Sequence, residues 1–208
     1  MVQNKEVRRR GRPPAYDAEQ ALARALETFW TSGFEATSLD ELSTATGMNR
    51  PSLYGAFGDK RALFLKALMA YRARGEMGLS QLITDNPSVR DALVNTCAAA
   101  LKLYFSGEKG ARGCFMTGAA LVGAVSDPEL REALLEGLED IDRAFVALFE
   151  HGQRRGEVAR DADPEALAFM ASALLHTLSV RARAGAKQPD LVRAAAKGVD
   201  VLLRAARP

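Results

Sequence analysis

The residues best suited by type and spacing to a binding function lie between Ser38 and Lys60, in the stretch SLDELSTATGMNRPSLYGAFGDK. In a helix that starts near Arg50, Leu53 and Phe57 would point inward. The face left outward carries Arg50, Pro51, Ser52, Tyr54 and Gly55. Arginine can form two hydrogen bonds with one guanine edge, and side-chain hydroxyls can bind phosphate oxygens. This set of residues therefore indicates DNA binding.

Two short helices joined by a tight turn would position this outward face. Ser38 and Glu41 have the spacing of a capping box, which predicts that a first helix begins directly after Ser38. Gly47 suits a left-handed helix end, and Asn49 can cap a second helix with Pro51 in its first turn. Such a pair of helices is typical of a helix-turn-helix that enters the DNA major groove.

Other reactive residue types lack the spacing of a catalytic or metal site. His151 and His176 are the only histidines, and no cluster of His, Cys, Asp or Glu has the spacing of metal ligands. The chain also lacks the spacing of a nucleophile triad and a glycine loop that could hold phosphates. We therefore expect no catalytic residue, no metal and no cofactor.

A basic segment, residues 1–16, precedes the suspected DNA-binding stretch. It contains five lysines or arginines and little that could be buried, which predicts a disordered arm. Arg10 and Arg12 belong to a short Arg-Gly-Arg-Pro motif that resembles the core of an AT-hook, which enters a narrow minor groove. The alternative is a solvated tail that attracts phosphates non-specifically. Both interpretations predict DNA affinity that falls with salt.

Amphipathic helices are predicted on both sides of the helix-turn-helix. One runs from Asp17 to about Ser32, and another begins after Asp59 and carries an apolar stripe as far as Tyr71. Residues 17–76 are thus predicted to form a DNA-binding domain with a three-helix helix-turn-helix core.

The motifs of residues 33–64 closely resemble the DNA-binding domain of the TetR (tetracycline-repressor-like) family of transcriptional regulators. Gly33-Phe34 precedes Thr37-Ser38, and then come Leu53-Tyr54, Phe57, Lys60 and Leu63-Phe64. The resemblance extends over roughly residues 17–70. It implies that the protein binds a palindromic operator as a dimer, with two helix-turn-helix units about 34–36 Å apart.

The resemblance also implies a role for individual residues. The short third helix would enter the major groove, and Thr37, Tyr54 and Lys60 would bind phosphates. Ser38, beside Thr37, completes the set of candidate DNA-binding residues. Gly55 departs from the larger polar residue of many family members, so base contacts would depend on Arg50, Ser52 and the basic arm.

The charge distribution agrees with an anionic partner for the N-terminal part. The net charge is only +2, but residues 1–75 carry twelve Lys or Arg against eight Asp or Glu, and residues 76–208 carry sixteen against eighteen. No apolar run approaches the ~20 residues that span a bilayer, and the N-terminus lacks the apolar core of a secretory signal. The two cysteines form no disulfide framework, which fits a reducing compartment. We expect a cytoplasmic protein without membrane contact.

Residues 77–208 are predicted to form an effector-binding and dimerisation domain. Four prolines mark expected helix starts, namely Pro87, Pro128, Pro164 and Pro189. Helices are predicted over about 88–106, 114–125, 128–155, 164–184 and 189–206, and nothing alternates like a strand. The complete chain is thus expected to be all-α with about nine helices. The family resemblance implies that the last two helices, about 164–206, form a four-helix dimer interface, and an ordinary internal core is the alternative.

A small-molecule effector site is predicted between the helices of residues 88–184. Such sites are mostly apolar and contain a few polar groups. The candidate lining residues are Cys97, Tyr104, Phe105, Phe115, Met116, Phe145, Phe149, Phe169, Met170 and His176. For each of them the alternative is a place in the ordinary core.

Cys114 suggests an alternative form of regulation. It follows Lys109, Arg112 and Gly113 and is predicted to open a helix, so positive charge and the helix dipole could lower the pKa of its thiol. A reactive thiolate there would make the protein a redox or electrophile sensor. The other interpretation is a structural cysteine in the core.

Taken together, these patterns predict an all-α, homodimeric repressor that binds double-stranded operator DNA and is released by a small-molecule effector. Two further alternatives remain at this point. One is an architectural DNA binder that relies on the basic arm, and the other is an enzyme that uses Cys114 or a histidine.

Overall fold

A computed structural model describes residues 17–108 and 110–206, so the predicted basic arm with Arg10 and Arg12 lies outside the described residues. Within these ranges the chain forms nine α-helices and one short π-helix, without a strand. The helices are α1 (Ala18–Ser32), α2 (Leu39–Thr46), α3 (Arg50–Phe57), α4 (Lys60–Asp85), α5 (Val89–Tyr104), the π-helix (Met116–Ala120), α6 (Leu121–Gly123), α7 (Pro128–Arg155), α8 (Pro164–Arg183) and α9 (Gln188–Ala205). The predicted all-α fold is confirmed.

Side-chain caps start the helices where the sequence predicts them. The Glu41 amide donates to Ser38 Oγ, and the Ser38 amide donates to the Glu41 carboxylate, which completes the capping box of α2. Asn49 accepts from the Ser52 amide at the start of α3. Gly47 ends α2 with a left-handed φ of 70°, a conformation that favours glycine.

The first three helices and the start of α4 enclose an apolar core. Leu42 of α2 and Leu53 and Phe57 of α3 are buried there. Phe29 of α1 meets Phe64 of α4 edge to face, with ring centroids 5.0 Å apart. This core fixes the orientation of α3 relative to α4.

The predicted domain boundary at residues 76 and 77 falls inside α4, which continues to Asp85. The helix packs on α1, α5 and α7. Gly75 and Gly78 do not end the helix, because its stop is Asn86, directly before Pro87. One continuous helix therefore belongs to both predicted domains.

Residues 89–205 form a second helical bundle in which α7 packs on α8 and α5 packs on α9. Pro128 and Pro164 begin α7 and α8 as predicted, whereas α5 begins at Val89 after the cap Ser88. The predicted helix over 114–125 is instead the π-helix followed by the single turn of α6. No helix among the described residues is long and apolar enough to cross a membrane.

Trp30 joins the N-terminal bundle to the rest of the molecule. Its Nε1 donates to the Gly113 carbonyl at 3.0 Å, and its ring meets Tyr71 edge to face at 4.9 Å. The guanidinium of Arg112 lies 3.7 Å from the Trp30 ring centroid and pairs with Glu27. Helix α1 is thus attached to the segment that leads into the π-helix.

Candidate DNA-binding surface and cavity

Helix α3 presents a polar surface away from the core. Arg50, Pro51, Tyr54 and Gly55 are exposed and Ser52 is half-buried, whereas Leu53 and Phe57 are buried. A Cβ added to Gly55 would meet no atom within 4 Å, so this part of the surface is open. The predicted division of α3 into a buried and an outward face is confirmed.

Arg50 is turned towards α2, where it pairs with Asp40. Arg50 Nε and one terminal nitrogen donate to Asp40 Oδ1 at 3.1 and 2.7 Å. Both side chains are largely exposed, so this ion pair adds little to stability and phosphate or base oxygens can compete for the guanidinium. The contact between Arg50 and Asp40 was not predicted from the sequence, because the two residues lie on different helices.

Thr37, for which a phosphate contact is predicted, lies in the turn between α1 and α2. The residue is only 1% exposed, and its hydroxyl donates to the Gly33 carbonyl at 2.6 Å. The hydroxyl thereby closes the turn between α1 and α2. The hydroxyl thus shapes the turn, and the phosphate contact assigned to Thr37 remains a prediction.

Lys60, at the first position of α4, lies over the turn between α1 and α2. Its Nζ is 3.4 Å from the Glu35 carbonyl oxygen and 4.6 Å from the centroid of the Phe34 ring. The side chain is thus held beside the start of α2, where Ser38 is exposed. The phosphate contacts assigned to Lys60, Tyr54 and Ser38 remain predictions.

A cavity of about 250 Å³ lies between the second half of α4, α5 and α7. Its wall includes Tyr71 and Leu79 from α4, Thr96 and Ala100 from α5, and Ile141 from α7. Cys114, which lies just before the π-helix, and Leu175 of α8 also line the cavity. Most of these side chains are apolar, as is usual for a small-molecule site.

The structure brings only part of the predicted effector set to this cavity. Tyr104 and Met116 lie on its wall. The other candidates lie elsewhere: Cys97, Phe115, Phe145 and Phe149 are buried in the core, Phe105 and His176 are half-buried away from the wall, and Phe169 and Met170 are exposed. Large apolar residues on a helix pack against neighbouring helices as readily as they line a cavity, and here most of them do the former.

Phe169 and Met170 lie on the outer surface of α8. They are 66% and 57% exposed, and Val180 lies about three turns further along the same side of α8. The buried side of this helix combines small residues such as Ala168 and Ala171 with Leu175 and Leu178. Val201 on the adjacent helix α9 is also exposed, so α8 and α9 both carry exposed apolar side chains.

The surroundings of Cys114 do not favour a reactive thiolate. Cys114 is buried, its amide donates to Ser179 Oγ at 2.7 Å, and its Sγ accepts a hydrogen bond from the Tyr71 hydroxyl at 3.3 Å. The guanidinium of Arg112, expected to lower the pKa of the thiol, is instead bound to Glu27 and Trp30. Burial raises the pKa of Tyr71, so its hydroxyl stays protonated.

Two ion-pair groups connect α4 to α7 and the residue before it. Near the start of α4, Arg61 pairs with Asp127 and Glu129, and the Arg61 guanidinium lowers the pKa of Asp127 to about 2. One turn past Leu68, Arg72 pairs with Glu136 at 2.9 Å and Asp140 at 2.8 Å. In the part of the chain described, no three His, Cys, Asp or Glu residues converge to hold a metal ion.

Family models match both halves of the chain. Residues 21–67 match the model described as bacterial regulatory proteins, tetR family, and residues 90–197 match the tetracyclin repressor-like C-terminal domain. Two repressors of Escherichia coli (strain K12) are similar in sequence. ComR is 32% identical over 89% of each chain, and BdcR is 30% identical over 97% of each chain.

Solved structures agree with this relationship. A cysteine mutant of the TetR family regulator CifR, in complex with a 26-base-pair double-strand operator, is 32% identical, with a TM-score of 0.83 over 94% of this chain and 100% of that chain. Reduced NemR of E. coli is 19% identical, with a TM-score of 0.78 over 88% and 95% of the two chains, and this likeness concerns the fold alone.

Proposed function

The chain belongs to the TetR family of bacterial transcriptional regulators, and we propose that it is a repressor that binds operator DNA as a homodimer and is released by a small molecule in the cavity. The observation that carries this proposal is the continuous helix α4. It bears Lys60 beside the helix-turn-helix and Tyr71 on the cavity wall. The relatives of this protein are transcriptional regulators, which sets aside the enzyme alternative. The burial of Cys114 and the pairing of Arg112 with Glu27 argue against the thiol sensor.

The exposed face of α3 supplies the contacts with the major groove. Arg50 is the residue able to read a base, because a guanidinium can bind both acceptors of a guanine. Tyr54, Lys60 and Ser38 bind phosphates and set the register of the helix on DNA. Pro51, Ser52 and Gly55 complete the contact surface, and Arg10 and Arg12 add minor-groove contacts.

The open apolar surface of α8 and α9 forms the dimer interface. Exposed Phe169, Met170, Val180 and Val201 would be removed from water by the same surface of a second copy. Gly198 of α9 lies directly against Leu174 of α8, so these two helices form one rigid layer for the contact. Two such layers make a four-helix interface that holds the two helix-turn-helix units at a fixed spacing.

Release depends on different affinities of the effector for two arrangements of α4. A ligand in the cavity touches α4 near Tyr71 and Gly75, while the start of the same helix packs against the helix-turn-helix. If the ligand binds best when the two units are wrongly spaced for the operator, it shifts the population to that state. The protein would act in the cytoplasm, where the chromosome lies.

Footprinting on fragments selected from the source genome tests this function. We expect protection of one inverted repeat, with half-site centres about one helical turn, 34–36 Å, apart. Uniform protection along the fragment would instead indicate an architectural DNA binder. Genes beside the selected fragments would identify what the protein regulates.

A further inference from the structure

Thr96 is a buried polar residue whose hydroxyl has no hydrogen-bond partner among the residues described. It is 6% exposed and lies on the cavity wall. Other helical threonines of this protein, Thr28, Thr46 and Thr84, donate to the carbonyl four residues earlier. An unsatisfied buried hydroxyl costs free energy, so a rotation of the Thr96 side chain that turns this oxygen to the cavity would let it bind a polar atom there.

Tyr104 offers a second hydroxyl from the same side of α5. Thr96, Ala100 and Tyr104 recur at intervals of four residues, so they share one face of the helix, and all three lie on the wall. Tyr104 is buried. Burial raises the pKa of Tyr104, so this hydroxyl remains a donor at neutral pH.

The charged groups on the wall are already paired or exposed. Arg72 donates to Glu136, to Asp140 and to the Ala133 carbonyl. Arg74 and Glu76, of opposite sign, are exposed at the rim. A charged ligand would therefore lose its hydration without gaining a buried counter-ion, which disfavours both anions and cations.

The volume and the apolar lining set the size of the ligand. The cavity of about 250 Å³ corresponds to roughly eight water molecules at about 30 Å³ each, or a compound of about ten non-hydrogen atoms. Leu79, Ala99, Ile141 and Ala144 form much of the wall around Thr96. Such a lining removes an apolar ring or chain from water.

From these features we infer that the cavity binds a small, uncharged, mainly apolar molecule with one hydrogen-bond acceptor, such as the carbonyl of an aromatic ketone. The Thr96 hydroxyl donates to that acceptor, and the Tyr104 hydroxyl is the second donor. This inference deepens the proposed function, because it names the chemical class of the effector, and it rests on that function only for the release of DNA.

Three probes of nearly equal size and shape test the inference on the full-length protein. All three probes carry one substituent on a phenyl ring. The substituent is an acetyl group in acetophenone, an isopropyl group in cumene and a carboxylate in benzoate. ¹³C-methyl methionine NMR locates the binding, since Met116 lies on the wall whereas Met69 and Met77 are exposed. Titrations should shift the Met116 signal, with acetophenone binding about tenfold more tightly than benzoate. Cumene, which is more apolar and has no acceptor, is the reference for the Thr96 variants. Tightest binding by benzoate would overturn the inference.

Substitution of Thr96 identifies the donor. Thr96→Val keeps the shape of the side chain and removes the hydroxyl, so acetophenone affinity should fall about tenfold while cumene affinity stays the same or increases. Thr96→Ser keeps the donor and should retain acetophenone binding, which serves as the control for packing. Tyr104→Phe should cause a smaller loss. Unchanged acetophenone affinity in folded Thr96→Val would exclude Thr96 as the donor and overturn the inference.

Operator binding in the presence of the probes separates this inference from the proposed function. If acetophenone shifts Met116 but leaves the operator bound, the ligand class stands and effector-controlled release through this cavity is wrong. If no probe shifts Met116 while the operator is bound, the ligand class is wrong and DNA binding stands.

Discussion

The two halves of α4 lie in very different surroundings. From Leu63 to Leu68 the helix is packed into the aromatic core below the helix-turn-helix, and its apolar side chains there are buried. From Arg74 to Leu82 it borders the cavity, most of its residues are exposed, and it includes Gly75 and Gly78. The first half is closely packed, while the half that borders the cavity is largely exposed. In the proposed mechanism the packed half positions Lys60 and the exposed half is the part that a ligand displaces.

Substitution of Phe64 has the largest expected effect and tests how differently the two halves of α4 are packed. Phe64 is 1% exposed and its ring contacts Phe29, Phe34 and Phe115. Phe64→Ala should lower the free energy of unfolding by about 3–5 kcal/mol because it leaves a cavity in this core. The matched change, Leu82→Ala on the cavity wall, should cost less than about 1 kcal/mol since Leu82 is only half-buried. Urea unfolding measures both, and equal losses would contradict the contrast between the halves.

Substitution of Arg50 tests whether the exposed face of α3 contacts bases. Arg50→Ala should reduce the preference for the operator over a single-base variant by about 1–3 kcal/mol, since one bidentate guanine contact is lost. Gel-shift titrations on both sequences measure the difference. An equal loss on every sequence would make Arg50 a phosphate contact. Asp40→Ala, which frees Arg50, should change stability by less than about 1 kcal/mol, as expected for an exposed ion pair.

Lys60 tests the phosphate contact at the first turn of α4. Lys60→Ala should weaken binding to all sequences alike and reduce the slope of log affinity against log salt by about one unit. Fluorescence anisotropy over a range of salt concentrations measures that slope. Lys66→Ala, an exposed lysine further along the same helix, is the control and should change the slope less. An unchanged slope for Lys60→Ala would remove its phosphate assignment.

Substitution of Gly75 tests the helix backbone in the half of α4 that borders the cavity. A Cβ at Gly75 would meet no atom within 4 Å, and the helix there is regular. Gly75→Ala should raise the free energy of unfolding by about 0.4–1 kcal/mol, because alanine loses less backbone entropy in a helix. Gly47→Ala is the matched control in the helix-turn-helix, where the left-handed φ makes alanine destabilising. Thermal unfolding of the two variants should therefore change in opposite directions.

The smallest effect concerns the ion pair between α4 and α7. The Arg61 guanidinium lowers the pKa of Asp127 to about 2, so the folded state favours the ionised carboxylate. This contribution is complete above the pKa of the unfolded chain, about 4, and is lost as the pH falls towards 2. Asp127→Asn retains a cap for α7 and should flatten that part of the stability curve. An unchanged acid dependence would show that the pair contributes nothing measurable.

The parts of the fold that depend on local interactions could be predicted from the sequence. Ser38 with Glu41, Asn49 and Gly47 fix helix ends through contacts within a few residues, and the structure places these ends as predicted. The bond from the Thr37 hydroxyl to Gly33 was not predicted, because it depends on the conformation of the turn.

The cavity could not be predicted in the same way, because its wall combines helices far apart in the sequence. Thr96, Tyr71 and Leu175 come together only when α4, α5 and α8 are packed. The periodicity of α8 also left open which side faces inward, so Phe169 and Met170 were assigned to the wrong environment. Gly75 and Gly78 within a long helix were the one local signal of a loosely packed region.

Trp30 gives the protein an intrinsic optical reporter. It is the single tryptophan of the chain, and its indole is held between Arg112, Tyr71 and the Gly113 carbonyl where the DNA-binding bundle meets the cavity wall. Any rearrangement that separates these parts changes the quenching and polarity around one known fluorophore. The emission spectrum of the unlabelled protein can therefore follow in real time the step that connects ligand binding to operator release.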